Sequence, residues 1–119
     1  MANVTQVNRV HLKVNESKEV TMTGLAPSDV GYLDLRGADY KTCLLFTNTN
    51  TTAAKVTIAI GDGIQGVGDP IEFTVAQNKY QPVVVDSGAY KITDGTSEFK
   101  GYAKVTVTSG VQVAVIELP

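Results

Sequence analysis

Apolar and polar residues alternate along the chain in short runs. Turn-forming Gly, Asn, Asp or Pro residues break the alternation roughly every 8 to 12 positions. Val10, Leu12 and Val14 alternate with Arg9, His11 and Lys13, and Val105 and Val107 alternate with Lys104, Thr106 and Thr108. A period of two sends successive side chains to opposite faces of a strand. No window of a dozen residues carries the 3.6-residue spacing of an amphipathic helix. The pattern predicts strands over 4–14, 19–23, 32–35, 42–47, 55–60, 71–75, 81–85, 89–92, 102–107 and 111–118. The segment Pro27-Ser28-Asp29-Val30 reads as the start of a short helical turn that Gly31 ends at once. Eight to ten short strands at this spacing imply an all-β fold, an antiparallel two-sheet β-sandwich of jelly-roll-like type, with a Greek-key or partly closed barrel as the alternative.

Face parity predicts two hairpins. Residues directly opposed in an antiparallel pair share a face, so the loop length must bring the apolar sets together. A three-residue loop Thr108-Ser109-Gly110 opposes Val107 to Val111 and Val105 to Val113, with Gly110 in the left-handed position. An odd loop from Thr49 to Ala53 opposes Phe46 to Val56 and Leu44 to Ile58, leaving an exposed Asn/Thr-rich tip.

Composition agrees with strands. Val and Thr supply about a quarter of the 119 residues, and β-branched side chains favour the pleated backbone. The length suits a single domain, 1–119, able to bury a core without metals or disulfides. Charged residues are 18% and the net charge is −2, so a grip on nucleic acid or an anionic membrane surface is not expected. The start, Met1-Ala2-Asn3-Val4-Thr5-Gln6, lacks the charged-then-apolar pattern of a secretory leader, and no apolar run approaches the ~20 residues of a membrane span. The Asn-x-Ser/Thr sequences at Asn3, Asn15 and Asn50 read as products of Asn/Thr-rich turns.

Candidate chemistry is sparse. Gly61-Asp62-Gly63-Ile64-Gln65-Gly66 matches a dinucleotide-binding glycine pattern and follows a predicted strand. That motif needs a helix opening at its third glycine, and Pro70 with the alternating run 71–75 leaves no room for one. The same loop offers Asp62 and Asp69 as candidate cation ligands. Calcium wants six to eight oxygens, and no third acid lies near, so both read as solvated turn aspartates. His11 shares a polar face with Arg9 and Lys13, and Cys43 reads as a small buried hydrophobe. Tyr80, Tyr90 and Tyr102 lie near strand ends, where a ring packs and its hydroxyl stays wet. No carboxylate pair stands out, so neither an enzyme nor a cofactor is expected.

From about residue 54 onward the chain resembles small structural proteins of tailed bacteriophages. The resemblance is carried by Gly61-Asp62-Gly63-Ile64-Gln65-Gly66 followed by Asp69, and by Val84-Val85-Asp86-Ser87-Gly88-Ala89-Tyr90-Lys91. It continues in Lys100-Gly101 with Lys104-Val105, and in the closing run from Val111 to Pro119. Leu44-Leu45-Phe46-Thr47-Asn48-Thr49 is similar to that group's inner strand running into a polar turn. The resemblance implies a capsid auxiliary or decoration protein. Such a protein sits on the outer face of the virion, is made in the host cytoplasm, partners the major capsid protein and assembles as a homo-oligomer, with a trimer among the options. It implies no catalytic residues. The polar, irregular segment 1–9 is expected to form an N-terminal arm, with Asn3, Val4, Gln6, Val7 and Arg9 as candidate capsid or subunit contacts. Rival readings are a receptor- or glycan-binding β-domain, which needs exposed adjacent Tyr rings, and a tail or head–tail joining protein.

Overall fold

The computed structural model describes residues 3–37, 41–61, 69–85, 90–93 and 99–119. Ten strands form two five-stranded sheets. They are β1 (Asn3–Val7), β2 (Arg9–His11), β3 (Thr23–Leu25), β4 (Asp29–Asp34), β5 (Thr42–Thr47), β6 (Ala54–Ile58), β7 (Ile71–Val75), β8 (Tyr80–Val83), β9 (Tyr102–Val107) and β10 (Val111–Glu117). One sheet runs β1-β4-β9-β6-β7. The other runs β2-β10-β5-β8, with β3 also paired to β10.

Strands β3 to β10 follow jelly-roll order. The sheets β3-β10-β5-β8 and β4-β9-β6-β7 arise when the chain switches sheet at every connection except β6 to β7. All pairs within these eight strands are antiparallel. The N-terminal strands add to this body in parallel, β1 on β4 and β2 on β10. The sheets are therefore mixed rather than wholly antiparallel. No tight turn joins β1 to β4 or β2 to β10, so nothing in the connectivity forces an antiparallel pairing there.

Both predicted hairpins are instead arches between sheets. Val107 and Val111 end strands of different sheets. Val56 pairs with Phe73 and Val107, and Phe46 pairs with Val113 and Gln81. The parity was sound, because both apolar sets face the core. Parity is equally satisfied when the two strands face each other across the sandwich, and the core rewards that arrangement. Gly110 does not take a positive φ. A Cβ there would lie 2.7 Å from Asn50 Nδ2, which donates to the Gly110 carbonyl at 3.0 Å. The glycine thus serves a close approach of two turns.

Residues 42–47, 71–75 and 102–107 are strands as the sequence predicts, the last two by their alternation. The run 4–14 is broken at Asn8, and residues 19–22 are not in a strand. Of 89–92, only an isolated bridge from Lys91 to Ala103 forms, and Ala89 lies outside the described residues. One core joins the sheets, with Leu33, Val56, Ile58 and Val105 from one and Leu44, Phe46, Val113 and Val115 from the other. The Phe46 and Phe73 rings meet edge-on across it at 5.2 Å.

The two outer faces differ in chemistry. That of the β1-β4-β9-β6-β7 sheet carries Lys55, Thr57, Glu72, Thr74, Lys104 and Thr106, with Lys55 Nζ and Glu72 Oε2 2.6 Å apart. On the other sheet, Cys43 and Leu45 of β5 face outward with Ile116 and Ala114 of β10. Cys43 is thus half-buried on an outer face. The expectation of an inner position fails because β5 is apolar on both sides.

Candidate functional site

Among the described residues, a linked cluster of polar side chains lies where the N-terminal strand passes from one sheet to the other. Val7 pairs with Leu33 and enters the core at 4% exposure. Two residues later Arg9 pairs with Val115 of the opposite sheet. Asn8 is the crossing point. Its Oδ1 accepts from Tyr102 Oη at 2.6 Å and from Gln6 Nε2 at 3.1 Å, and Gln6 Nε2 also donates to Tyr102 Oη at 2.8 Å. These side-chain bonds hold the chain where the strand is broken.

Arg9 then ties the sheets together. Its Nε donates to Glu117 Oε1 at 2.8 Å, on the last residue of β10. Its Nη1 lies 3.2 Å from Asp34 Oδ2, on the last residue of β4, and its backbone N donates to the same oxygen at 3.2 Å. Asp34 also accepts from Arg36 Nε at 2.9 Å and Nη2 at 3.0 Å, a two-pronged contact. The Asp34 side chain is fully buried. Burial pushes its pKa up. Hydrogen bonds from the Arg36 side chain and backbone and from the Arg9 backbone, with the nearby Arg36 charge, outweigh that and hold it at about 2. The same contact raises the pKa of Arg36.

Aromatic rings flank this cluster. The Arg36 guanidinium lies 5.0 Å from the centre of the Tyr102 ring. Tyr32 and Phe99 stack in parallel at 3.8 Å, and Phe99 meets Tyr102 edge-on at 6.3 Å. Gly101, at φ +88°, turns the chain between Phe99 and Tyr102, and a Cβ there would lie 2.6 Å from the Arg36 side chain. The arrangement is an interlocked seam. Its carboxylates are held by guanidinium groups, so its chemistry is mechanical fastening of the two sheets.

The residues predicted as contacts all fall on this edge. Asn3, Val4, Gln6 and Val7 lie on β1 and Arg9 on β2, paired against the chain's own body. Val4 is 58% exposed and Gln6 is exposed, whereas Val7 and Arg9 are engaged in the core and the seam. Asp62 lies outside the described residues. Asp69 is exposed, and its carbonyl accepts from Tyr90 Oη at 3.3 Å. Among the described residues no three His, Cys, Asp or Glu side chains converge as a metal site. His11 is half-exposed, its Nδ1 3.9 Å from Glu117 Oε1. Tyr102 is buried and Tyr32 lies under Phe99, while Tyr80, 67% exposed, stands at the far end of the sandwich on β8. The adjacent exposed rings that a glycan platform needs are not found among these tyrosines. A cleft of about 340 Å³ beside the seam is lined by Arg36, Lys91 and Lys100 with Leu35, Ile92 and Thr93.

Asp34, Arg36 and Glu117 were not singled out from the sequence. The signal available was the spacing Asp34-x-Arg36 at the end of an apolar strand, and an acid closing the strongly apolar run of β10. The protein-family models, the curated proteins and the solved structures with which the chain was compared include no match to it.

Proposed function

We propose that this chain is a head decoration protein of a tailed bacteriophage, held on the outer surface of the capsid by the major capsid protein. The observation that carries the reading is a jelly roll whose open edge is fastened across both sheets by Arg9, in a chain whose second half resembles such virion proteins. A decoration protein needs a rigid body and adhesive surfaces, and requires no active site. Many copies, each binding weakly, reinforce a shell because the lattice fixes neighbouring sites. The exposed side of β1, with Val4 and Gln6, is the surface this reading assigns to the capsid. The protein would be made in the host cytoplasm and end on the virion exterior.

The test is quantitative mass spectrometry of density-purified particles from the source system. Copies in fixed ratio to the major capsid protein, in the hundreds, support the reading. A handful per particle would move the chain to the tail, and absence from particles would overturn the reading.

A further inference from the structure

The cleft beside the seam collects cations that the seam does not use. It is lined by Arg36, Lys91 and Lys100, together with Leu35, Ile92 and Gly101. Three backbone bonds tie its walls. Ile92 N donates to the Tyr102 carbonyl at 2.8 Å, Gly101 N to the Ile92 carbonyl at 2.7 Å, and Leu35 N to the Gly101 carbonyl at 3.0 Å. Arg36 is fixed as well. Asp34 takes its Nε and Nη2, which leaves Nη1 without a protein partner among the described residues. Lys91 is half-buried and Lys100 exposed, and among the described residues neither makes an ion pair or a side-chain hydrogen bond. Two uncompensated positive charges thus share one cleft, on a chain whose net charge is −2.

We propose that this cleft binds an acidic peptide segment of a partner protein, whose carboxylates pair with Lys91, Lys100 and the free edge of Arg36. Charge complementarity selects the occupant. Cations on walls held by backbone bonds are the complement of a pair of neighbouring carboxylates, and the pinned guanidinium adds a donor of fixed direction. A nucleic acid is a poor match, because its grip rests on about six to ten phosphate contacts and only Arg36, Lys91 and Lys100 are cationic here. Inorganic phosphate satisfies the charges alone. An Asp or Glu side chain also brings methylene groups and a backbone to lie against Ile92, which is half-buried. The volume, about 340 Å³, is at the small end for a ligand site and takes a short stretch of chain. The inference stands apart from the capsid reading, which places its contact on the β1 edge, and its test uses the isolated chain.

The probe is the capped peptide acetyl-Leu-Glu-Glu-amide, titrated into the full chain and followed by proton–nitrogen NMR in about 20 mM salt, where exposed charges are little screened. The backbone signals of Gly37, Ile92, Thr93 and Gly101 should shift, with a Kd of about 1 mM, the strength of a few solvent-accessible charge pairs. The shifts should vanish in about 0.5 M salt. Lys91→Gln and Lys100→Gln should each weaken binding about threefold, and the double variant should abolish it. The remainder of each variant's spectrum reports that the fold is kept. Lys55→Gln, which breaks the ion pair with Glu72 on an outer face, should leave binding unchanged. Absence of shifts at several millimolar peptide overturns the inference. So do shifts confined to another part of the chain, or equal binding of acetyl-Leu-Gln-Gln-amide. Inorganic phosphate binding as tightly as the acidic peptide also overturns it, because the cleft would then be an oxyanion site only.

Discussion

The Arg9 guanidinium donates to Glu117 at 2.8 Å, and this bond joins the second strand of the chain to its last. Glu117 is nearly buried, and the other edge of the same guanidinium meets the fully buried Asp34 on the opposite sheet. Replacing Arg9 by Met keeps the apolar stem and removes the charge shared by two carboxylates in a poorly solvated place. Removing one partner of a buried ion pair costs about 3 kcal/mol or more, and the partial exposure of Arg9 puts this case at the lower end. Arg9→Met should therefore lower the midpoint of thermal unfolding by roughly 10 °C. Urea unfolding followed by circular dichroism measures the loss, and a change below about 1 kcal/mol would show that the seam does not fasten the sheets.

Acid should weaken the fold through Asp34. Its carboxyl is held at about 2, below the ordinary 3.8, so between these values the unfolded chain binds the proton and the folded chain does not. The stabilisation is complete above about pH 4 and is lost as pH falls toward 2. The shift corresponds to about 2 kcal/mol at 1.36 kcal/mol per unit. Asp34→Asn should be less stable at pH 6 and should lose that part of the acid dependence. Unfolding free energies of both proteins across pH 2.5–6 test the sign, and parallel curves would refute the assignment.

Phe46 is fully buried in β5 and meets Phe73 of β7 across the sandwich. Its truncation to Ala should cost about 4 kcal/mol, because the transfer term and the cavity add. Phe73 is only half-buried, so Phe73→Ala should cost less, about 2 kcal/mol. Equal losses from the two truncations would mean that β7 packs more tightly than its exposure indicates. Chemical denaturation of both variants decides it.

The strands were legible because Val and Thr alternate with polar residues, and those of β7 and β9 carry that alternation cleanly. Their pairing was not. Val107 and Val111 satisfy the same parity as hairpin partners or as residues facing each other across a core, and only the competition among all ten strands selects the second. The N-terminal segment looked loose because Asn3 to Arg9 contains two valines among polar residues. Its anchors are polar: Asn8, Gln6 and Tyr102 bond to one another, and Arg9 reaches residues 25 and 108 positions away. Contacts at that separation leave no periodic trace in a sequence. The apolar outer face did leave one. Cys43-Leu44-Leu45-Phe46 and Val113-Ala114-Val115-Ile116 do not alternate, which marks strands apolar on both sides.

Asn48 locks the turn that carries the chain from β5 to β6. It is fully buried. Its amide Nδ2 donates to the Thr52 carbonyl at 2.8 Å and the Val75 carbonyl at 3.0 Å, and its Oδ1 accepts from the Asn50 backbone N at 2.9 Å. Asn48→Ala should cost about 2–3 kcal/mol, since two carbonyls and an amide lose their partner. Asn48→Asp keeps the shape and the acceptor but turns a donor toward two carbonyls into an oxygen. Ionised, that oxygen is repelled by both carbonyls. Protonated, it donates to one. The pKa of the introduced acid should therefore be raised in the folded chain, and the variant should gain stability as pH falls from 7 toward 4, the reverse of the acid response of Asp34. Urea unfolding of Asn48→Asp at pH 7 and pH 5 shows the difference. A variant equally stable at both values would mean that the carbonyls of Thr52 and Val75 do not depend on the Asn48 amide.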